Sequence, residues 1–189
     1  MNVASLTRGS AVRHPSWVIV LHWVTVSFLL IGVAAILVRG LLTDRELKTA
    51  LLVVHRGAGL LVLAVTLLRI LTTPWIRVRE PLLTTWERWG SMFSHLAIYL
   101  LLIANPILGW LLTSARGQTA YFMGAIPLPA LTGRDRDYAD QLEGLHLQVA
   151  IVLLVVVALH SGGALWHHYY RRDLVLRRML PVVGKSRQT

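Results

Sequence analysis

The chain has 189 residues, of which 55% are hydrophobic and 15% charged, with a mean hydropathy of +0.59. These values lie outside the range of soluble domains and point to an integral membrane protein. The absence of cysteine excludes iron–sulfur clusters, covalent C-x-x-C-H cofactor attachment, thiolate nucleophiles and disulfides, so redox work needs a non-covalently bound cofactor.

A polar arm carrying Arg8 and Arg13 leads into "WVIVLHWVTVSFLLIGVAAILV", Trp17 to Val38. That run is too long for the apolar core of a signal peptide and lacks a small-residue cleavage site after it, so it is the first span. A short connection with Asp44, Arg45, Glu46 and Lys48 overlaps the start of the second span, Leu47 to about Leu71. Arg77, Arg79 and Arg88 mark the next connection, and the third span runs from Ser91 to about Thr113. Its "NPILG", Asn105 to Gly109, predicts a bend, because proline removes a helical hydrogen bond. The longest connection, 114–144, is Gly- and Pro-rich in its middle, and its apolar stretch Tyr121 to Leu131 is expected to cap the bundle mouth. Connections of this length usually have a job or lack structure. The fourth span, Leu145 to about His168, ends in a tail with Arg171, Arg172, Arg177, Arg178, Lys185 and Arg187.

Each span has the roughly 20 residues needed to cross the hydrocarbon core. Only helices satisfy their own backbone at that length without the alternation of barrel strands. The expectation is an all-α, four-helix integral membrane bundle forming a single domain over 1–189, with both termini cytoplasmic by the distribution of Lys and Arg. The connection 114–144 mixes Arg116, Arg134 and Arg136 with Asp135, Asp137, Asp140 and Glu143, as an outer loop does. The net charge of +10 sits beside membrane ends, where it attracts anionic lipid rather than nucleic acid. Trp17, Trp23, Trp75, Trp86, Trp89, Trp110 and Trp166 fall near span ends as interfacial anchors.

Ionisable side chains inside spans are costly and mark function. His22, His55, His95, His146, His160 and His167 lie in or at the ends of spans, whereas His14 and His168 are interfacial. His146 and His160 lie on one face of the fourth span, about 21 Å apart by helix rise. That separation is too long for one metal ion and suits a pair of stacked haems, each taking one further imidazole from a neighbouring helix. Depth places His55 level with His146, and His22 level with His160. His95 is about as deep as His22, so a pairing of His95 with His160 stays open. Gly57 and Gly59 after His55, and Ser161, Gly162 and Gly163 after His160, either admit a porphyrin face or pack helices. Arg56 and Arg69 are candidate partners for haem propionates, or cations snorkelling to the interface.

The "LHW" of span one, "HRGAGLLVL" opening span two, "SHLAIYLLLIANPILGWLLTSARG" and the closing "LHLQVAIVLLVVVALHSGGALWHHYYRRDLVLRRMLP" together resemble the bacterial cytochrome b561 family, from about Val18 to Pro181. The resemblance implies a membrane cytochrome with a pair of non-covalent b-type haems, whose ligands fall on His22, His55, His146 and His160. It also implies electron transfer with the quinone pool of the bacterial inner membrane, ubiquinone being the acceptor. One branch oxidises superoxide at the outer face, and others serve as cytochrome subunits of dehydrogenases or hydrogenases. The compact size favours the stand-alone branch. Arg56, Arg116, Arg134 and Arg136 are candidates to draw in a small anion, diluted by the nearby acids. A quinone site is expected near His167, Trp166, His22 and Arg13, since histidine can hydrogen-bond a carbonyl and deliver a proton. The "WHHYYRR" segment also reads as an interfacial anchor. A proton-coupled transporter lacks intramembrane acids and an inverted repeat here, and a metal-binding protein needs clustered ligands. No catalytic residue is singled out.

Overall fold

The computed structural model describes residues 15–72, 84–172 and 176–180. Four helices form within them: α1 (Ser16–Leu41), α2 (Arg45–Thr72), α3 (Thr85–Ala115) and α4 (Arg136–Tyr169). Between α3 and α4 lies a small antiparallel hairpin, β1 (Tyr121–Phe122) with β2 (Ile126–Pro127), and a 3-10 turn, Leu176–Arg178, follows α4. At 1.5 Å per residue the helices are about 39 to 51 Å long, enough to cross the hydrocarbon core and reach headgroup level on both sides. Leu30, Leu37 and Leu159 are 63%, 63% and 70% exposed, and in a protein of four spanning helices these side chains face lipid.

α1 packs along α2 and α3 along α4, while α2 joins the two hairpins through α3. The middle of the bundle closes around Val62, Leu102 and Leu153, flanked by Phe28, Leu29, Ile98, Leu101 and Val157. Every helix contributes to this apolar layer. A second core, Ala115, Ala139 and Leu142 packed by Leu108, Leu111 and Leu112, fixes α3 to α4 at the end that carries the long connection. That end is called the loop end here, and the opposite one the terminal end.

Two helices begin earlier than hydropathy indicates, because polar caps set their starts. At α3, Thr84 accepts from the Glu87 amide while the Glu87 carboxylate accepts from the Thr84 amide at 2.8 Å, a reciprocal capping box. At α4, the Asp135 carboxylate accepts from the Tyr138 amide at 3.0 Å, adding polar turns that no apolar window includes. The segment outside helices at the loop end is therefore 116–135 rather than 114–144.

That segment folds back on the bundle mouth. Trp110 Nε1 donates to the Pro129 carbonyl at 3.1 Å, the Leu131 amide to Ser114 Oγ at 3.1 Å, and the Asp135 amide to the Ala115 carbonyl at 2.9 Å. Arg116 pairs with Glu143 at 2.6 Å across α3 and α4. At the terminal end Arg171 pairs with Glu87, and Trp23 Nε1 donates to the Met179 carbonyl at 2.7 Å, fastening the 3-10 turn to α1.

Replacing a side-chain cap by alanine costs about 1 kcal/mol. Thr84→Ala and Asp135→Ala should each lower the thermal denaturation midpoint of the detergent-solubilised protein. An unchanged midpoint in Asp135→Ala would show that the loop-end contacts alone hold the start of α4.

Candidate functional site

His55 on α2 and His146 on α4 come together at the loop-end side of the apolar middle layer. Their ring centres stand 6.0 Å apart with planes at 90°. His55 Nδ1 donates to the Gly32 carbonyl of α1 at 2.8 Å, and His146 Nδ1 donates to the Asn105 carbonyl of α3 at 3.0 Å. A carbonyl only accepts, so both Nδ1 atoms carry the hydrogen. Each neutral ring then keeps its lone pair on Nε2, the tautomer a metal-ligating imidazole requires.

Local sequence makes both contacts attainable. Gly32 is buried against α2, where an added Cβ would stand 3.5 Å from Ala58 Cβ, so its backbone lies close enough to receive His55. On α3 the His146 ring occupies the surface of Gly109, where a Cβ would meet Cε1 at 3.2 Å. Asn105 precedes Pro106, and α3 continues through the proline. The Asn105 side-chain Oδ1 is buried without a hydrogen-bond partner.

The distance fits a haem iron between these rings. One metal ion that takes a nitrogen from each imidazole, at about 2 Å per bond, sets ring centres about 6 Å apart. Among the described residues, no three His, Cys, Asp or Glu side chains gather as a conventional metal centre. Gly57, Gly59, Gly162 and Gly163 have nothing within 4 Å of an added Cβ. No neighbouring helix approaches these four positions closely.

On the terminal-end side of the middle layer, His160 lies against His95 of α3, with ring centres 5.1 Å apart and planes at 80°. Ser94 Oγ is 3.4 Å from His160 Nδ1. His95 Nδ1 donates to the Ser91 carbonyl of its own helix at 2.6 Å. His95 is exposed, whereas His22 and His160 are half-buried. The His22 ring meets Trp23 edge-on at 5.6 Å.

The remaining candidates divide between the two ends. Arg56 donates to Gln118 Oε1 at 2.6 Å at the loop end. Arg69 lies over the Tyr99 ring at 5.4 Å from its centre, bridging α2 to α3. Trp166 stacks on Tyr170 at 4.2 Å and is exposed, while His167 is half-buried. Arg13 lies outside the described residues. Gly32, Ser94, the Asn105 carbonyl and Gln118 are partners that sequence reading does not single out. Only "NPILG" carried a signal, as a bend in α3.

The profile of the prokaryotic cytochrome b561 family matches residues 13–182. A probable superoxide oxidase CybB of Yersinia pestis is 31% identical over 167 residues, 85% of this chain and 92% of its own length. Cytochrome b561 homolog 1 of Escherichia coli (strain K12) is 30% identical over 169 residues, 86% of this chain and 94% of its own length. Cytochrome b561 homolog 2 of the same organism is 31% identical over 137 residues, 70% of each chain. Four spanning helices, opposed imidazoles in the correct tautomer and a family match along nearly the whole chain agree: this protein belongs to the prokaryotic cytochrome b561 family, multi-pass bacterial membrane cytochromes that bind haem b and transfer electrons.

Proposed function

We propose that the protein is a di-haem cytochrome of the bacterial inner membrane that takes electrons from superoxide at the loop end and gives them to ubiquinone at the terminal end. In this reading the loop end faces outward and both termini are cytoplasmic. The observation that carries it is the opposed pair His55 and His146, each with Nδ1 committed to a backbone carbonyl. His55 and His146 hold one haem, and His22 and His160 the other. Haem bound there would supply one-electron chemistry, with these histidines as the residues that would hold it.

The chain's own groups orient and select. The Gly32 and Asn105 carbonyls hold the two rings against rotation and keep Nε2 unprotonated. Arg56, Arg116, Arg134 and Arg136 give the loop end a positive field that draws a small anion. Near the terminal end, His167 and Trp166 line the approach to a quinone between α1 and α4; Arg13, the other residue expected at this site, lies outside the described residues. His167 donates a hydrogen bond and then a proton to the reduced quinone oxygen. The relative named a probable superoxide oxidase supports superoxide as donor. Serving as the cytochrome subunit of a dehydrogenase or hydrogenase is the alternative.

A second ligand assignment at the terminal end has an observation in its favour, since His95 and not His22 makes the ring contact of 5.1 Å with His160. Against it stand the exposure of His95, its bond to Ser91, and a spacing below the roughly 6 Å of a ring–metal–ring arrangement. Pyridine haemochrome assays should find about two b-type haems per chain, falling to about one in His55→Leu, His146→Leu and His22→Leu, with His95→Leu unchanged. Loss in His95→Leu with retention in His22→Leu would reverse the assignment.

Gly109→Val places methyl groups where the His146 ring already lies 3.2 Å from an added Cβ. Loop-end haem should be lost or its absorbance shifted, whereas Gly40→Ala, in open space, should leave the spectrum as it is. An unaltered spectrum in Gly109→Val would show that the ring does not need this position.

In proteoliposomes, enzymatically generated superoxide should reduce the haems and yield ubiquinol, at a rate that falls as ionic strength rises. No superoxide-dependent reduction, together with copurification of a dehydrogenase subunit, would favour the partner-subunit reading.

A further inference from the structure

The stretch from Arg134 to Asp140 alternates basic and acidic residues, and by composition its charges nearly cancel. The fold sorts them. Arg116, Arg134 and Arg136 line one cavity of about 310 Å³ at the loop end, with Gln118, Ala139 and a single acid, Asp140. Asp135 is turned to the helix start, where it accepts from the Tyr138 amide, and Asp137 is not among the lining residues. Glu143 is engaged from the side by Arg116 at 2.6 Å.

The cationic positions are built by the fold. The Arg134 stem lies over Gly117, whose φ of +72° turns the chain and whose missing side chain makes the room: a Cβ there would stand 3.0 Å from Arg134 Cδ. Arg56 donates to Gln118 Oε1 at 2.6 Å, which leaves the Gln118 amide hydrogens as donors at the cavity wall. Three guanidinium groups are thus brought to one cavity beside Asp140, and Glu143 pairs with one of them, Arg116, so positive charge stays in excess there and favours an added anion. Guanidinium forks match the oxygens of phosphate, and the cavity far exceeds a diatomic ion.

We propose that this cavity binds a phosphate-type oxyanion, supplied by a soluble phosphate compound or by the headgroup of an anionic lipid. Asp140 limits the affinity from within the wall. The site does not depend on superoxide being the electron donor, since its occupant is a larger, more highly charged anion and need not be oxidised.

The test uses the purified haem-loaded protein, its Arg134→Gln/Arg136→Gln double variant and Asp140→Asn. Calorimetric titration with inorganic phosphate at constant ionic strength reads the soluble source. Native mass spectrometry after release from nanodiscs of phosphatidylglycerol or phosphatidylcholine reads the lipid source. Saturable phosphate binding that weakens about tenfold or more in the double variant and tightens in Asp140→Asn supports the site with a soluble occupant. Retained phosphatidylglycerol that is lost in the double variant, with no phosphate binding, supports it with a lipid occupant. Equal signals in wild type and double variant, or none for either probe, overturn the proposal. If the double variant does not fold, Asp140→Asn decides: tighter binding of either probe supports the site, and unchanged binding overturns it.

Discussion

Each imidazole of the loop-end pair gives its Nδ1 hydrogen to a main-chain carbonyl on a different helix, His55 to Gly32 and His146 to Asn105. A polar ring inside a bilayer finds little water, so its hydrogen-bonding groups must be satisfied within the protein. The two bonds meet that requirement and also leave each Nε2 with its lone pair. They tie α2 to α1 and α4 to α3, so the same contacts that prepare the rings set the register of each helical hairpin. Chemistry and packing therefore share their geometry at this level: rotation of any one helix displaces either a ring or the carbonyl that orients it.

The apolar middle layer gives this arrangement its division into two levels. Leu153 stands midway between His146 and His160, two turns from each, and Val62 lies two turns beyond His55. On α1, Phe28 and Leu29 fall about two turns from His22. On α1, α2 and α4 a histidine thus stands about two turns from the apolar layer, which separates the polar levels. Most large apolar side chains elsewhere point outward, as they do where lipid rather than a protein core is the solvent. The interior is left to a thin core and to groups with specific partners.

The sequence made the spans and their number legible, because membrane thickness and helix rise are fixed quantities. Helix ends were less so. A hydropathy window stops where polar residues begin, yet "TTWE" at Thr84 to Glu87 and the Asp135 cap carry α3 and α4 beyond it. Those signals lie in the sequence, as side-chain patterns of capping rather than as apolar runs. The carbonyl partners of His55 and His146 had no such signal, since any residue supplies a carbonyl and only packing decides which one is near. Arg69 illustrates the same limit. Its charge invites an anionic partner, while the fold places it over the Tyr99 ring. Trp23 likewise fits an interfacial anchor by position, but its indole also fastens the 3-10 turn after α4 through Met179.

Charge at the loop end shows how a local backbone decision produces an electrostatic one. Once Asp135 takes the cap position, α4 begins at Arg136, and the residues that follow are distributed by helical turns rather than by sequence order. Arg136 and Asp140, four apart, fall on one face and both reach the cavity, while Asp137 is carried away from it. The return of the connection through the Asp135 amide to the Ala115 carbonyl brings Arg134 over Gly117 and beside Arg116. A stretch nearly neutral by composition becomes a cavity rich in positive charge because one carboxylate is needed to start a helix. The field at the mouth of this bundle is thus a consequence of helix capping, and it would shift if α4 began a turn earlier or later.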